Sequence, residues 1–156
     1  MSRAFVKEID DAPEPAIAER PVSSAPNLVT PRGLRLIESR VGALEAALRL
    51  PGADEEALRR DLRYWQLRRA TAQVVVPEER PASIGIGTVA TIRRGVLMSK
   101  VTIVGEDEAD PATGRIAWTA PLARALDGAE PADVVELEAG GRIEEVLVIE
   151  VRRAED

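Results

Sequence analysis

The stretch TPRGLRLIESRVGALEAALRLPG, residues 30–52, sets the architecture of the chain. Thr30 is a good N-cap, and Pro31 suits the first helical position, where a missing N–H is no loss. Leu34, Ile37, Val41, Leu44 and Leu48 follow at spacings of 3, 4, 3 and 4, the narrow apolar seam of a coiled coil. Pro51-Gly52 stops the helix. Asp54, Glu55 and Glu56 open a second helix, because acids suit the positive end of the helix dipole. Leu58, Leu62 and Trp65 form a second seam, whose next positions fall to Arg69 and Ala72. Two seams joined by a tight turn predict an antiparallel helical hairpin over residues 31–76.

Downstream, the period changes from helical to alternating. Residues 86–94 and 97–104 read as strands separated by a turn at Gly95. An acidic loop, 105–114, precedes a short strand over 115–119 and a short helix over 121–126, with Gly128 as its C-cap. Residues 134–138 and 143–151 flank Gly140-Gly141, a two-residue hairpin signal. The continuous apolar run 146–149 suits a central strand. The order β-β-β-α-β-β predicts a mainly antiparallel sheet with one short covering helix, so residues 77–156 form the second unit of an α+β chain.

Upstream, residues 1–30 hold Pro13, Pro15, Pro21 and Pro26, with acids at Glu8, Asp10 and Asp11 and no sustained periodicity. They read as a disordered, acidic, Pro-rich tail, in which Arg3-Ala4-Phe5-Val6-Lys7 is a candidate docking peptide.

Composition excludes whole classes of chemistry. The chain of 156 residues has no Cys and no His. It therefore has no disulfide framework, thiol nucleophile, Cys/His zinc site or imidazole acid–base group. Aromatics are 3%, which argues against base-stacking platforms. The start lacks an export signal and no stretch approaches a membrane span, so a cytoplasmic location is expected. The net charge of -6 is unevenly divided. Residues 31–76 carry nine bases against six acids, and residues 77–156 carry nine bases against sixteen acids. A basic arm on an acidic body is the polarity to explain.

Two clusters on the arm could carry function. Asp54, Glu55 and Glu56 at the hairpin tip are hard oxygen donors that could share a divalent ion, against the plainer reading of acids at a helix N-terminus. Arg59, Arg60 and Arg63 share one helix face and could meet phosphates, against that of a solvated coiled-coil surface. The acids Glu106, Asp107, Glu108 and Asp110 lack the alternation of a calcium loop and read as solvated. Gly85-Ile86-Gly87 precedes a strand and reads as a structural turn. Trp65 and Trp118 read as core.

The stretch VTIVGEDEADP, residues 101–111, closely resembles the C-terminal domain of bacterial Gre transcript-cleavage factors. So do Gly114-Arg115-Ile116, Pro121-Leu122-Ala123-Arg124-Ala125-Leu126 with Gly128, Asp133-Val134-Val135 and the Gly140-Gly141 hairpin. Thr30-Pro31-Arg32-Gly33-Leu34 resembles the opening of the family's first helix, and Ala72-Gln73-Val74 the end of its second. The resemblance implies an FKBP-like C-terminal domain carrying a coiled-coil arm. It also implies docking at the rim of the RNA polymerase secondary channel, through a loop matching Thr119, Ala120 and Pro121. The arm would enter the channel, where tip acids help hold a Mg²⁺ of the polymerase site. The polymerase then cleaves its own backtracked RNA by metal-assisted hydrolysis.

These implications give a bacterial elongation factor with RNA polymerase as partner and indirect contact with nascent RNA. They give a monomer with no membrane contact, no intrinsic cofactor or metal and no catalytic residue of its own. Three departures qualify the match. The docking loop keeps Pro121 but reads Thr119-Ala120 where the family commonly has Asp-Ser or Ser-Ser. The tip reads Gly52-Ala53-Asp54-Glu55-Glu56-Ala57-Leu58 and lacks the family's Ser-Glu-Asn core. The arm is also short, as in Rnk-type regulators. The acidic tip on a basic arm leads us to expect cleavage stimulation, with a non-cleaving channel occupant, motivated by the two departures at the tip and in arm length, as the alternative. A prolyl isomerase, the third class, would need aromatics in its pocket, and beyond residue 77 only Trp118 is present.

Overall fold

A computed structural model describes residues 17–155. Helices α1 (Pro31–Ala47) and α2 (Glu55–Thr71) form the hairpin. Thr30 caps α1 by accepting from the Gly33 N–H at 3.0 Å, and Asp54 caps α2 through the Ala57 N–H at 3.1 Å. Along the first seam Ile37 and Val41 are buried, while Leu34, Leu44 and Leu48 are half-buried. At 1.5 Å per residue, α1 is about 26 Å long.

The second seam departs from expectation at its base. Leu58, Leu62 and Trp65 are half-buried and Arg69 is exposed. The residue that turns inward is Arg68, at 2% exposure. Polar contacts, rather than apolar packing, hold this end of α2. Trp65 is not a core residue either; it stands edge-on to Tyr64, with ring centroids 5.2 Å apart.

The body is a five-stranded sheet. Its strands are β3 (Thr88–Arg94), β4 (Leu97–Val104), β5 (Arg115–Ala117), β6 (Val134–Ala139) and β7 (Arg142–Arg153), in the order β5-β4-β3-β7-β6. All pairings are antiparallel except β4 with β5. Gly140 and Gly141 both have positive φ, 59° and 74°, which the tight β6–β7 turn requires and side-chain-bearing residues resist. The alternation of β3, β4 and β7 puts Ala90, Ile92, Val101, Ile103, Val146 and Val148 on one face. Helix α3 (Pro121–Leu126) covers that face with Ala123 and Leu126. The run 146–149 lies in β7 between β3 and β6, as expected of an interior strand. Only Val146 and Val148 are buried, however, and Ile149 is 41% exposed. The sheet is therefore covered on one face at this point, not on both.

Residues 17–30 differ from the expected disordered tail. Leu28–Val29 forms strand β1, parallel to β2 (Gln73–Val74), with Leu28 opposite Gln73 and Val29 opposite Val74. Val29 is 1% exposed, and the buried Asn27 amide donates to the Arg68 carbonyl at 2.7 Å. The physical reason is pairing at long range: β1 gains its partner only after both helices have returned the chain to the body. The tail up to residue 16, with its candidate docking peptide, lies outside the described residues.

Candidate functional site

The tip carboxylates are each engaged with a near neighbour. One Asp54 oxygen serves as the α2 cap. Glu55 pairs with Arg59 at 2.9 Å, one turn on. Glu56 accepts from the Ile17 N–H at 3.3 Å. Among the described residues no group of three or more His, Cys, Asp or Glu stands close enough together to hold a metal ion. The basic patch is similarly partnered: Arg59 with Glu55, Arg60 with Asp61 at 2.9 Å, and Arg63 with Glu19. Sequence places the acids and the arginines close together on the arm; the structure adds that local ion pairs offset much of the arginines' charge.

The acids 106–108 are not a solvated loop. They lie in a single 3₁₀ turn after β4 and bind the base of the arm. Glu108, 4% exposed, accepts from the Thr30 hydroxyl at 2.6 Å, the Thr30 N–H at 3.2 Å and the Gly105 N–H at 3.2 Å. Arg32 stands 3.8 Å from it. Asp107 accepts from Arg68 Nε at 2.5 Å and from the Tyr64 hydroxyl at 2.6 Å. Glu106 lies 3.5 Å from Arg68 Nη2 and accepts from the Thr119 hydroxyl at 3.2 Å. Three consecutive acids thus grip α1, α2 and the loop before α3. Buried charges need this much pairing, since desolvation otherwise outweighs their attraction.

Arg68, Tyr64 and the three acids were missed as a unit by sequence reasoning. The available signals were an arginine near a seam position and a glycine in the first turn of α1. A Cβ built on Gly33 would lie 2.3 Å from Glu108 Oε2, so only glycine lets the carboxylate approach the helix.

Tyr64 offers a direct readout of this junction. Burial, then the Asp107 hydrogen bond and negative charge, push its hydroxyl up to about 12. It is the only tyrosine in the chain, so ultraviolet titration of the native protein should show one phenol ionising near that pH. In denaturant it should ionise near 10. The folded state holds the proton longer than the unfolded one. Tyr64's contribution to stability is therefore fully present below pH 10 and lost as pH rises toward 12. A native midpoint at the unfolded value would contradict the buried contact.

Thr119, Ala120 and Pro121 lead into α3. Ala120 is its N-cap residue and Pro121 its first residue, with Pro121 exposed and the other two half-buried. The Thr119–Glu106 bond ties this loop to the acids that hold the arm, so the candidate docking loop and the arm base share one network. The cleft beside Trp118, lined also by Ile84, Ile86, Ile103 and Ala123, contains that one aromatic ring. No helix among the described residues is long and apolar enough to cross a membrane.

Residues 71–153, just over half of the chain, match the family model described as transcription elongation factor, GreA/GreB, C-term. Transcription elongation factor GreA of Neisseria meningitidis serogroup A is 41% identical over 87 residues, covering 53% of this chain and 55% of that one. GreB of the same organism is 37% identical over 95 residues, covering 59% and 58%. The chain thus spans about half the length of the curated relatives it matches. Among solved structures, GreA/GreB from Nitrosomonas europaea overlaps with 24% identity and a TM-score of 0.42, covering 80% of this chain and 98% of that one. GreA factor homolog 1 of Thermus thermophilus overlaps with 18% identity and a TM-score of 0.41, covering 82% and 99%. On the residue-level match over 71–153, the chain belongs to the GreA/GreB family of transcription elongation factors.

Proposed function

We propose that this chain binds RNA polymerase through its C-terminal domain, with the loop at Thr119, Ala120 and Pro121 among the contacts. The arm enters the secondary channel and occupies it without supporting RNA cleavage. The observation that carries the second half is the state of the tip. Asp54, Glu55 and Glu56 cap a helix, pair with Arg59 and bind the Ile17 N–H. These contacts are exposed and individually weak, but each competes with offering the carboxylate to a metal held largely by the polymerase, as a cleavage factor would. The short α1 of 17 residues supports the same reading. Such a protein has no catalytic activity of its own and no resident cofactor, and it acts from the cytoplasm as a monomer.

Cleavage stimulation is the second reading, favoured by three acids on one exposed tip. A transcript-cleavage assay on backtracked polymerase separates the two. The occupant reading expects polymerase binding and competition with an authentic cleavage factor, with no shortening of RNA above the polymerase's own rate. RNA shortening that disappears in Asp54→Ala/Glu55→Ala would overturn it and show that cleavage depends on the tip carboxylates.

A further inference from the structure

Residues 17–27 run along α2 from the tip of the arm to its base. Ile17 meets Glu56. Glu19 accepts from Arg63, with Nε at 3.3 Å. The Arg20 guanidinium lies 3.9 Å from the centroid of the Tyr64 ring and 5.5 Å from that of Trp65, with Asp61 at 4.0 Å. Asn27 reaches Arg68 and Thr71 at the base. Partners rise in number with the strap's own residues, so the segment lies parallel to the helix and turns a two-helix arm into a three-segment one.

What the strap covers is chemically coherent. Arg60, Arg63, Tyr64 and Trp65 lie together on α2, bringing two of the chain's four aromatics beside its arginine cluster. Guanidinium groups suit the phosphates of a single-stranded polyanion, and the Tyr64 ring that Arg20 covers offers one base a stacking face, a local exception to the scarcity of aromatics in the chain. The Glu19 carboxylate occupies Arg63, where a phosphate would sit, and Arg20 occupies the face of Tyr64. The two ends of the strap are held unequally. Asn27 is buried and leads into β1, whereas Glu19 and Arg63 are 63% and 55% exposed. Exposed ion pairs are weak, so the tip end releases first while the base end acts as a hinge.

We propose that residues 17–27 are a displaceable autoinhibitory strap, which keeps single-stranded RNA off the basic–aromatic face of α2 until it is peeled away. The proposal deepens the channel reading, because it sets when the arm's cationic face is available there. Its test requires no polymerase, so the two can fail separately. Binding of a short fluorescein-labelled single-stranded RNA to the full chain is followed by anisotropy at low salt for the wild type, Arg20→Ala and Glu19→Ala/Arg20→Ala. Arg20→Ala removes a positive charge, so simple electrostatics predicts weaker binding. Strap release predicts the reverse, about threefold tighter binding from loss of the cation–π contact. The double variant, which leaves net charge unchanged, should bind at least as tightly as Arg20→Ala. Unchanged or weaker binding by Arg20→Ala, or undetectable binding by all three proteins, overturns the proposal.

Discussion

Replacing Arg68 with alanine should lower the unfolding free energy by about 3–5 kcal/mol, the usual cost of removing one partner of a buried ion pair. Against the 5–15 kcal/mol typical of a domain, that is a severe loss. Arg68 is the largest fully buried side chain among the described residues. Its guanidinium meets Asp107, whose side chain is 7% exposed, and Glu106, at 24%. Truncation leaves Asp107 charged and buried with only the Tyr64 hydroxyl to solvate it. Urea denaturation should show the loss as a lower midpoint. Replacing both partners in Arg68→Leu/Asp107→Leu should recover part of it, because the buried Asp107 charge is removed while Glu106, 24% exposed, still loses its Arg68 partner. A loss below about 1 kcal/mol for Arg68→Ala would mean that water, not Arg68, satisfies Asp107.

Gly33→Ala and Gly42→Ala should move stability in opposite directions, although both lie in α1. Alanine ordinarily stabilises a helix by about 1 kcal/mol relative to glycine. At Gly42 nothing lies within 4 Å of the added methyl, so a gain of about 0.5–1 kcal/mol is expected. At Gly33 the methyl would lie 2.3 Å from Glu108 Oε2 and 2.5 Å from Cδ. That carboxylate cannot swing aside cheaply. It accepts three hydrogen bonds, from Thr30 twice and from Gly105, in a site 4% exposed. Displacing it breaks these bonds while leaving it buried, at a cost of about 2–4 kcal/mol. Thermal or urea unfolding of the two variants reads the signs directly. Stabilisation by both would show that Glu108 does not hold α1 to the body.

These two positions also mark where sequence reasoning stops. The apolar seam of α1, the Thr30 cap, the acidic opening of α2, strand β4 and the Gly140-Gly141 turn are patterns confined to short windows, and all were legible. The grip of residues 106–108 on the arm was not. Its bonds join residues 39 to 78 positions apart, and no local periodicity encodes such a pairing. An acidic run after a strand ordinarily faces water, so solvated acids were the natural reading until Thr30, Tyr64 and Arg68 were seen to converge on it. The strap escaped for a related reason. Proline and charge mark residues 17–27 as unable to build a core of their own, but not as unable to lie on one provided by α2. At the tip the sequence shows which acids and arginines are present, and the coordinates add the exposed contacts they make with Ala57, Arg59 and Ile17.

The channel reading rests on where the tip goes, and the chain is well suited to showing it. Because it has no native cysteine, Ala53→Cys at the tip turn can carry the only tethered iron chelate. Hydroxyl radicals generated there on the polymerase complex cut protein and RNA nearby. The cuts should fall in polymerase segments lining the secondary channel. Cuts restricted to the outer surface of the polymerase, or no more than free chelate produces, would contradict insertion of the arm.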